Sequence, residues 1–435
     1  MFSAEEYQRR RQALANSLGE GVIILPSYAN STMSNDVFYE FRQQSDFLYF
    51  TGFPEPDSIA ILEVEDGKIT YTLFVPERDE TFEIWNGRRY GTEGAISTFH
   101  ADAAYNNTDF ELKLADILKK YEHVYWTQGE NQKVDATITE KMLEASKSRD
   151  KTGRGPIFST NCIYQIHELR VKKSAEEIEV MKKSADISAK AMELGIKVSM
   201  PGMKEAEVEA VIEYYYAKHG AQRPAYPTIA GSGVNATILH YIENIDELNE
   251  GELMLVDAGA EYQGYASDIT RTWPVNAKFS DAQKEVYQLV LDTQEACILM
   301  VKPGITIQEL HDTAVELITE GLVDLGLLEG AIDEIIEEKK YSRFFMHGLG
   351  HFLGMDVHDT SLLGRKYILQ EGNYFTVEPG IYIPDEDDIP ERYRGIGVRI
   401  EDDVLVTTDG CEVLSDGVAK SIEDIENLVG TATLP

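Results

Sequence analysis

The stretch FFMHGLGHFLGMDVHD (344–359) holds three of the chain's nine histidines. His347 and His351 are four apart, and His358 follows in what reads as a turn into a strand. Glycines at 348, 350 and 354 disfavour a long regular helix. A lone histidine is most often an ordinary core or surface residue. Three of them within twelve positions, in an apolar and glycine-rich setting, point to a site. Carboxylates form the second candidate set. EGELMLVDAGAEYQGYASDITRTW (250–273) reads as two strands joined by a tight turn. With the turn centred on Tyr262 and Gln263, Asp257 and Asp268 stand opposite each other, and opposed residues share a face with Cβ atoms roughly 4.5–5.5 Å apart. The flanking strands are apolar enough to be buried, so two like charges there need something positive between them. A metal ion is the simplest candidate. Acids make up 76 of 435 residues, however, so this spacing alone arises by chance and proves nothing.

Repetition strengthens the case. MPGMKEAEVEAVIE (200–213) and KPGITIQELHDTAVE (302–316) align on Pro201/Pro303, Gly202/Gly304, Glu207/Glu309 and Val208/Leu310. EGELMLVDAG (250–259) aligns with EGNYFTVEPG (371–380), which places Asp257 on Glu378. The second strand of each half brings one more acid, Asp268 in YASDITRTW and Glu401 in GVRIEDDVLV. Each half then reads helix, helix, strand, strand, with two inward acids. A pseudo-two-fold axis would gather four carboxylates, which is hard to tolerate without cations.

Four carboxylates and one imidazole make a donor set of mostly hard oxygen. Four anions exceed the need of one divalent ion, so bridging carboxylates and two metals are the natural arrangement. Mn²⁺ suits that set, with Co²⁺ or Zn²⁺ as substitutes. Two ions roughly 3.5 Å apart share a water, lower its pKa and present hydroxide at neutral pH, while one ion polarises a carbonyl. That is hydrolase chemistry. His240, in the strand-like TILHYI, is a weaker candidate by itself.

The elements that must position these residues follow from the rest of the chain. Its length predicts two domains, and 43% hydrophobic residues with 10% aromatic are those of a globular protein. A formal charge of −36 favours solubility and argues against nucleic acid or an anionic membrane surface as partner. No signal peptide and no spanning helix is expected. Cys162, Cys297 and Cys411 have no metal-ligand spacing and point to a reducing compartment, hence a cytoplasmic protein.

Residues 5–19 read as a helix and 21–27 as a buried strand. FRQQSDFLYFTGFPEPDSIAIL (41–62) carries two strand-like runs around Gly52-Phe53-Pro54. Asp66-Gly67 marks a hairpin, 109–120 and 136–147 are helix candidates, and HVYWTQ (123–128) is a strand. This mixture predicts an α/β domain over 1–172. At Ser174 the texture changes, with the capping box SAEE and a helical stripe from Ile178 through Met181, Ala185, Ala189 and Met192. The second domain is expected over 173–435.

Asp257, Asp268, His351, Glu378 and Glu401 resemble, in type and order, the five metal ligands of the pita-bread metallopeptidases. VDAGAEYQGYASDITRTW, HGLGHFLGMDVHD, TVEPGIYIP and GVRIEDD carry that likeness through residues 174–410. FRQQSDFLYFTGFPEPDSIAIL and the WNGRR stretch resemble the first domain of the aminopeptidase P group. The resemblance implies an α/β N-terminal domain followed by an α+β pita-bread (creatinase/aminopeptidase-like) catalytic domain with internal pseudo-two-fold symmetry. It implies two divalent ions, most readily Mn²⁺, and removal of the first residue from peptides with proline second, by attack of a metal-bridged hydroxide on the Xaa-Pro carbonyl.

In that likeness Asp257 binds one ion and His351 the other. Asp268 and Glu401 bridge both, and Glu378 binds metal while carrying the proton to the leaving nitrogen. His240 and His358 match the family's substrate histidines, which stabilise the oxyanion and hold the peptide. His347 and Arg399 match positions lining the pocket, Tyr382 packs behind it, and Trp85 reaches a neighbouring subunit's site in a homodimer or tetramer. Arg399, two before Glu401 on a strand, also points to the acids' face and serves equally to neutralise them. A Xaa-Pro dipeptidase of the same fold and a non-catalytic binding module are the alternatives. A two-metal phosphoesterase is disfavoured by the lack of a basic cluster near the site.

Overall fold

The computed structural model describes residues 2–147 and 149–434. They divide into two compact units, the first ending at Leu169 and the second starting at Arg170. In the first unit, β1 (Gly21–Pro26), β4 (Ile59–Glu65), β5 (Lys68–Val75), β6 (Ala103–Asn106), β7 (His123–Trp126) and β8 (Phe158–Asn161) form one mixed sheet. Its order is β6-β5-β4-β1-β7-β8, and β2 (Thr32–Ser34) pairs with β3 (Val37–Phe38) outside it. The β4–β5 hairpin turns at Asp66-Gly67, both with positive φ, as the sequence predicts. Helices α1 (Ala4–Leu18), α2 (Ser45–Thr51), α3 (Glu80–Asn86), α4 (Gly91–Ser97), α5 (Phe110–Leu118), α6 (Gln132–Ser146), α7 (Arg149–Thr152) and α8 (Ile163–Arg170) complete the α/β pattern. The FLYF run differs from the strand expected for it. It lies in α2, whose N-terminus is capped by the Gln44 side chain and whose C-terminus is stopped by left-handed Gly52. Phe47, Tyr49 and Phe50 are all buried, and a short apolar run buried all round shows no period that tells helix from strand.

In the second unit, α9 (Ala175–Val198) starts at the expected capping box. Ser174 and Glu177 exchange backbone-to-side-chain hydrogen bonds of 2.9 and 3.3 Å. α10 (Glu205–Lys218) packs on it, and α11 (Asp281–Met300) packs on α12 (Ile307–Asp324). The PG…E landmark has a local cause: Gly202 and Gly304 take positive φ, and Glu207 and Glu309 accept hydrogen bonds of 2.8 Å from the N–H of Lys204 and Thr306. Short helices α13 (Ile332–Glu337) and α14 (Ile422–Leu428) follow. Among the described residues, no helix is long and apolar enough to cross a membrane.

The strands of this unit come in two matching sets. The first is β9 (Arg223–Pro224), β10 (Ile229–Ser232), β11 (Leu253–Asp257), β12 (Ala260–Tyr262), β13 (Tyr265–Ala266) and β14 (Thr270–Pro274). The second is β15 (Tyr374–Val377), β16 (Gly380–Tyr382), β17 (Gly397–Arg399), β18 (Asp402–Val406) and β19 (Cys411–Val413). In each set a long hairpin is broken into an outer and an inner pair: β11–β14 with β12–β13, and β15–β18 with β16–β17. The acids sit at the four breaks. Asp257 ends β11, Asp268 separates β13 from β14, Glu378 separates β15 from β16, and Glu401 separates β17 from β18. Backbones come too close for side chains at the first break and where the 344–359 segment meets β15. A Cβ on Gly259 would lie 1.7 Å from the Ser267 carbonyl, and one on Gly350 would lie 1.9 Å from that of Thr376.

The first hairpin differs in register from the expectation. Tyr262 pairs with Tyr265 and Asp257 with Thr270, so the turn is Gln263-Gly264, both with positive φ. Glycine supplies that conformation without strain, and this moves the turn by one residue. The pairing thereby shifts by two, which preserves the face, so Asp268 lies diagonally from Asp257 rather than opposite it.

In the first unit, buried Glu6 accepts a 2.8 Å hydrogen bond from Arg10, and Arg10 also donates to the Tyr49 carbonyl at 3.1 Å. Burial raises the Glu6 pKa, but Arg9 and Arg10 outweigh it and bring the carboxyl down to about 2. Its contribution is therefore full above the unfolded value of 4.5 and is lost as pH falls toward 2. Glu6→Gln is expected to cost on the order of 1–3 kcal/mol at neutral pH. Denaturant titrations of both proteins across that acid window check this: the gap between them closes as pH falls, and a constant gap contradicts the assignment.

Candidate metal centre

Asp268, His351 and Glu401 offer ligand atoms that all lie within 4.8 Å of one another. His351 Nε2 is 3.5 Å from both Asp268 Oδ2 and Glu378 Oε1. The Tyr226 hydroxyl lies 2.5 Å from Oδ1 of Asp257 and of Asp268, which joins Asp257 to the group. Asp257, Asp268 and Glu401 are buried, and Glu378 and His351 are half-buried.

The electrostatics show what this costs. Burial, and then its fellow acids, push Glu401 well above the carboxylate range. Burial raises Glu378 to about 7 against the pull of His351, and raises Asp257 to about 6 against that of Arg399. Burial would lower His351, but Asp268 and Glu378 carry it up to about 9. Asp268 moves the other way: burial raises it, and its hydrogen bond and charge interaction with His351 bring it below its ordinary value. One imidazole raised by its acids faces one lowered carboxylate, while the other three carboxyls are held above their ordinary values. Four inward carboxylates and one imidazole fit divalent cations, whose charge would favour the ionised carboxylates and the neutral imidazole.

Neighbours fix the donors. Thr270 donates to Glu401 Oε2 at 2.6 Å, and Arg271 reaches the Glu401 carbonyl at 2.6 Å. His351 turns Nδ1 toward the Phe352 carbonyl at 3.2 Å, which directs Nε2 at the acids. The His351 N–H donates to the Thr376 hydroxyl at 3.1 Å, and that hydroxyl lies 3.4 Å from Glu378. Arg399 donates to Asp257 at 2.7 Å, to Tyr382 at 2.8 Å and to Thr270 at 3.1 Å.

The sequence profile of metallopeptidase family M24 matches residues 179–408. The profile of the aminopeptidase P N-terminal domain matches residues 7–125. The chain belongs to metallopeptidase family M24. It is 42% identical to the Xaa-Pro aminopeptidase of Escherichia coli over 435 residues, covering 99% of both chains. Its fold matches aminopeptidase P from E. coli with the inhibitor Pro-Leu at a TM-score of 0.95 and 42% identity, over 98% of each chain. It also matches zinc-substituted E. coli aminopeptidase P in complex with product at 0.96, with the same identity and coverage. The fold is thus an aminopeptidase P-type first domain followed by the M24 catalytic domain, and the enzyme class is metallo-aminopeptidase.

Around the five donors of this M24 chain, the other candidates divide. His347 Nε2 meets the Tyr382 hydroxyl at 2.9 Å, and its Nδ1 is 3.7 Å from Glu378. Tyr382 is buried between His347 and Arg399 and is more than packing. His358 is exposed, its ring centroid 4.4 Å from that of His351. It leads into turns rather than the expected strand, because β15 starts only at Tyr374. His240 is likewise not on a strand. It lies in a turn beyond the 3₁₀ helix Gly233–Thr237, where β10 has already ended. Arg399 pairs with Asp257 at 2.7 Å, and its charge also acts on Glu378 and Glu401, so it faces the acid cluster as its strand position predicts. Trp85 is on α3 of the first unit and 83% exposed.

Sequence reasoning missed Tyr226 and Thr270. Tyr226 is a lone aromatic in AYPTI with no pattern around it. Thr270, two residues after Asp268, carried an alternation signal that went unused. The Tyr226 phenol is pushed well above its usual pKa by burial and then by Asp257 and Asp268, so it stays a donor. Tyr226→Phe and Thr270→Val should each weaken Mn²⁺ binding on the order of 10–100-fold while the protein stays folded. Calorimetric titration checks this, and unchanged affinity in both variants would show that the donors hold their places without them.

Proposed function

We propose that this chain removes the N-terminal residue from peptides whose second residue is proline, with two divalent ions, most readily Mn²⁺, held by Asp257, Asp268, His351, Glu378 and Glu401. The observation that carries this reading is a buried, mutually repelling carboxylate and imidazole cluster in a chain that matches Xaa-Pro aminopeptidases along its whole length. The ions supply Lewis acidity and a nucleophile at neutral pH. Glu378, half-buried at the edge of the cluster and within 3.5 Å of His351, takes a proton from the attacking water and returns it to the leaving nitrogen. His240 and His358 hold the peptide and the carbonyl oxygen on the exposed side of the cluster. His347, Tyr382 and Arg399 form the pocket wall toward the proline ring.

Proline selectivity has a physical basis. The Xaa-Pro nitrogen carries no N–H, so a site that depends on that donor fails, whereas one that anchors the free amine and cradles the ring does not. The 83% exposed side chain of Trp85 supports a role at a neighbouring copy's site in a homo-oligomer, which we place in the cytoplasm.

The test uses metal-stripped protein with and without Mn²⁺ on a Xaa-Pro-Yaa tripeptide, a Xaa-Pro dipeptide and a Xaa-Ala-Yaa control. Mn²⁺-dependent release of the first residue from the proline tripeptide, and not from the alanine control, is expected. Cleavage of the dipeptide alone would assign a dipeptidase. No cleavage by folded, metal-loaded protein would leave a binding module.

A further inference from the structure

Glu205 opens α10 with its side chain fully buried. Among the described residues, the partners its side chain has are uncharged donor groups. A buried carboxylate without a counter-ion persists only when hydrogen-bond donors replace its hydration. Here five donors do so. Oε1 accepts from the Ser232 N–H at 2.6 Å, the Ser232 hydroxyl at 2.9 Å and the Asn235 amide at 3.1 Å. Oε2 accepts from the Tyr241 hydroxyl at 2.9 Å and the Asp246 N–H at 3.0 Å.

All five belong to residues 232–246, the last residue of β10 and the connection toward β11 that carries His240. Apart from the 3₁₀ turn, this segment has no regular structure of its own. Glu205 grips it at both ends and beside His240. Tyr241 also enters a small apolar cluster with Ile229, Ala236, Leu255 and Tyr382. From the other side β17 presses close, since a Cβ on Gly397 would come within 2.1 Å of the Ala236 carbonyl. Tyr382 of that cluster meets His347 at 2.9 Å and Arg399 at 2.8 Å, so the residue next to His240 is packed into the wall of the metal centre.

We infer that Glu205 is a positioning residue that fixes the 232–246 segment so that His240 meets the bound peptide. The inference rests on the reading of His240 as a residue that holds substrate.

The test is a double-mutant cycle on kcat/KM for a Xaa-Pro-Yaa tripeptide, using Mn²⁺-loaded wild type, Glu205→Gln, His240→Ala and the double variant. Glu205→Gln should lower kcat/KM on the order of ten- to a hundred-fold, leave Mn²⁺ affinity unchanged, and add no loss in the His240→Ala background. If Glu205→Gln does not fold, Tyr241→Phe removes one of the five donors and runs the same cycle with a smaller loss. Equal fold-losses in both backgrounds overturn the inference alone, as does wild-type kcat/KM in folded Glu205→Gln. Wild-type activity in His240→Ala overturns the reading of His240, and the inference with it.

Discussion

Burying Asp257, Asp268, Glu378 and Glu401 in one place sets the terms for everything around them. As four anions they would repel one another in a medium that screens poorly, and the protein meets this in three ways. Protons are retained on some of the carboxyls, one imidazole stays charged against Asp268, and Arg399 is buried on Asp257. Each is a partial remedy whose full form is a divalent cation. Removing the charges would stabilise the fold more simply, so the cluster marks where stability has been given up for chemistry.

The backbone makes this arrangement reachable. Each of the four hairpin arms delivers one acid, and each acid lies where its arm is interrupted. Breaking each hairpin into an outer and an inner pair turns the chain at the acid itself, four times over. The close approach at Gly259 is a consequence of the first of those turns. Away from the breaks, Arg271 is buried on Asp402 at 2.7 Å and also holds the Glu401 carbonyl. The residue that faces away from the metal site therefore helps aim the one that faces into it.

Much of this was legible in the sequence because it is written twice. The aligned EG…V(D/E)xG and PG…E segments report left-handed glycines and helix starts, which local chemistry requires wherever those turns occur. The acids could be read from that frame even though the first hairpin's register was misplaced, because a shift of two residues leaves a side chain on the same face. GVRIEDD shows the limit. Glu401 and Asp403 alternate onto one side, and nothing local tells the metal-facing acid from the one that accepts from the Asp268 N–H at 3.3 Å. Tyr226 and Glu205 were out of reach for a related reason. Each acts through partners 27 or more residues away, and single residues with distant partners leave no local pattern. The 344–359 segment announced itself by composition, but where its histidines point is set by carbonyls such as that of Phe352.

The central claim is that mutual repulsion within the buried cluster is what a divalent cation relieves. Asp257 at about 6, Glu378 at about 7 and His351 at about 9 all lie above their ordinary values. Groups raised in this way bind more protons in the folded state, so the metal-free protein loses stability as pH rises through those values. The most direct measurement is the denaturation midpoint of metal-stripped protein with and without saturating Mn²⁺, at about pH 5.5 and about pH 8. The gain from Mn²⁺ is expected to be clearly larger at the higher pH. Carboxylates with ordinary pKa values are already ionised at both, so an equal gain at the two pH values, or a larger one at pH 5.5, would contradict it.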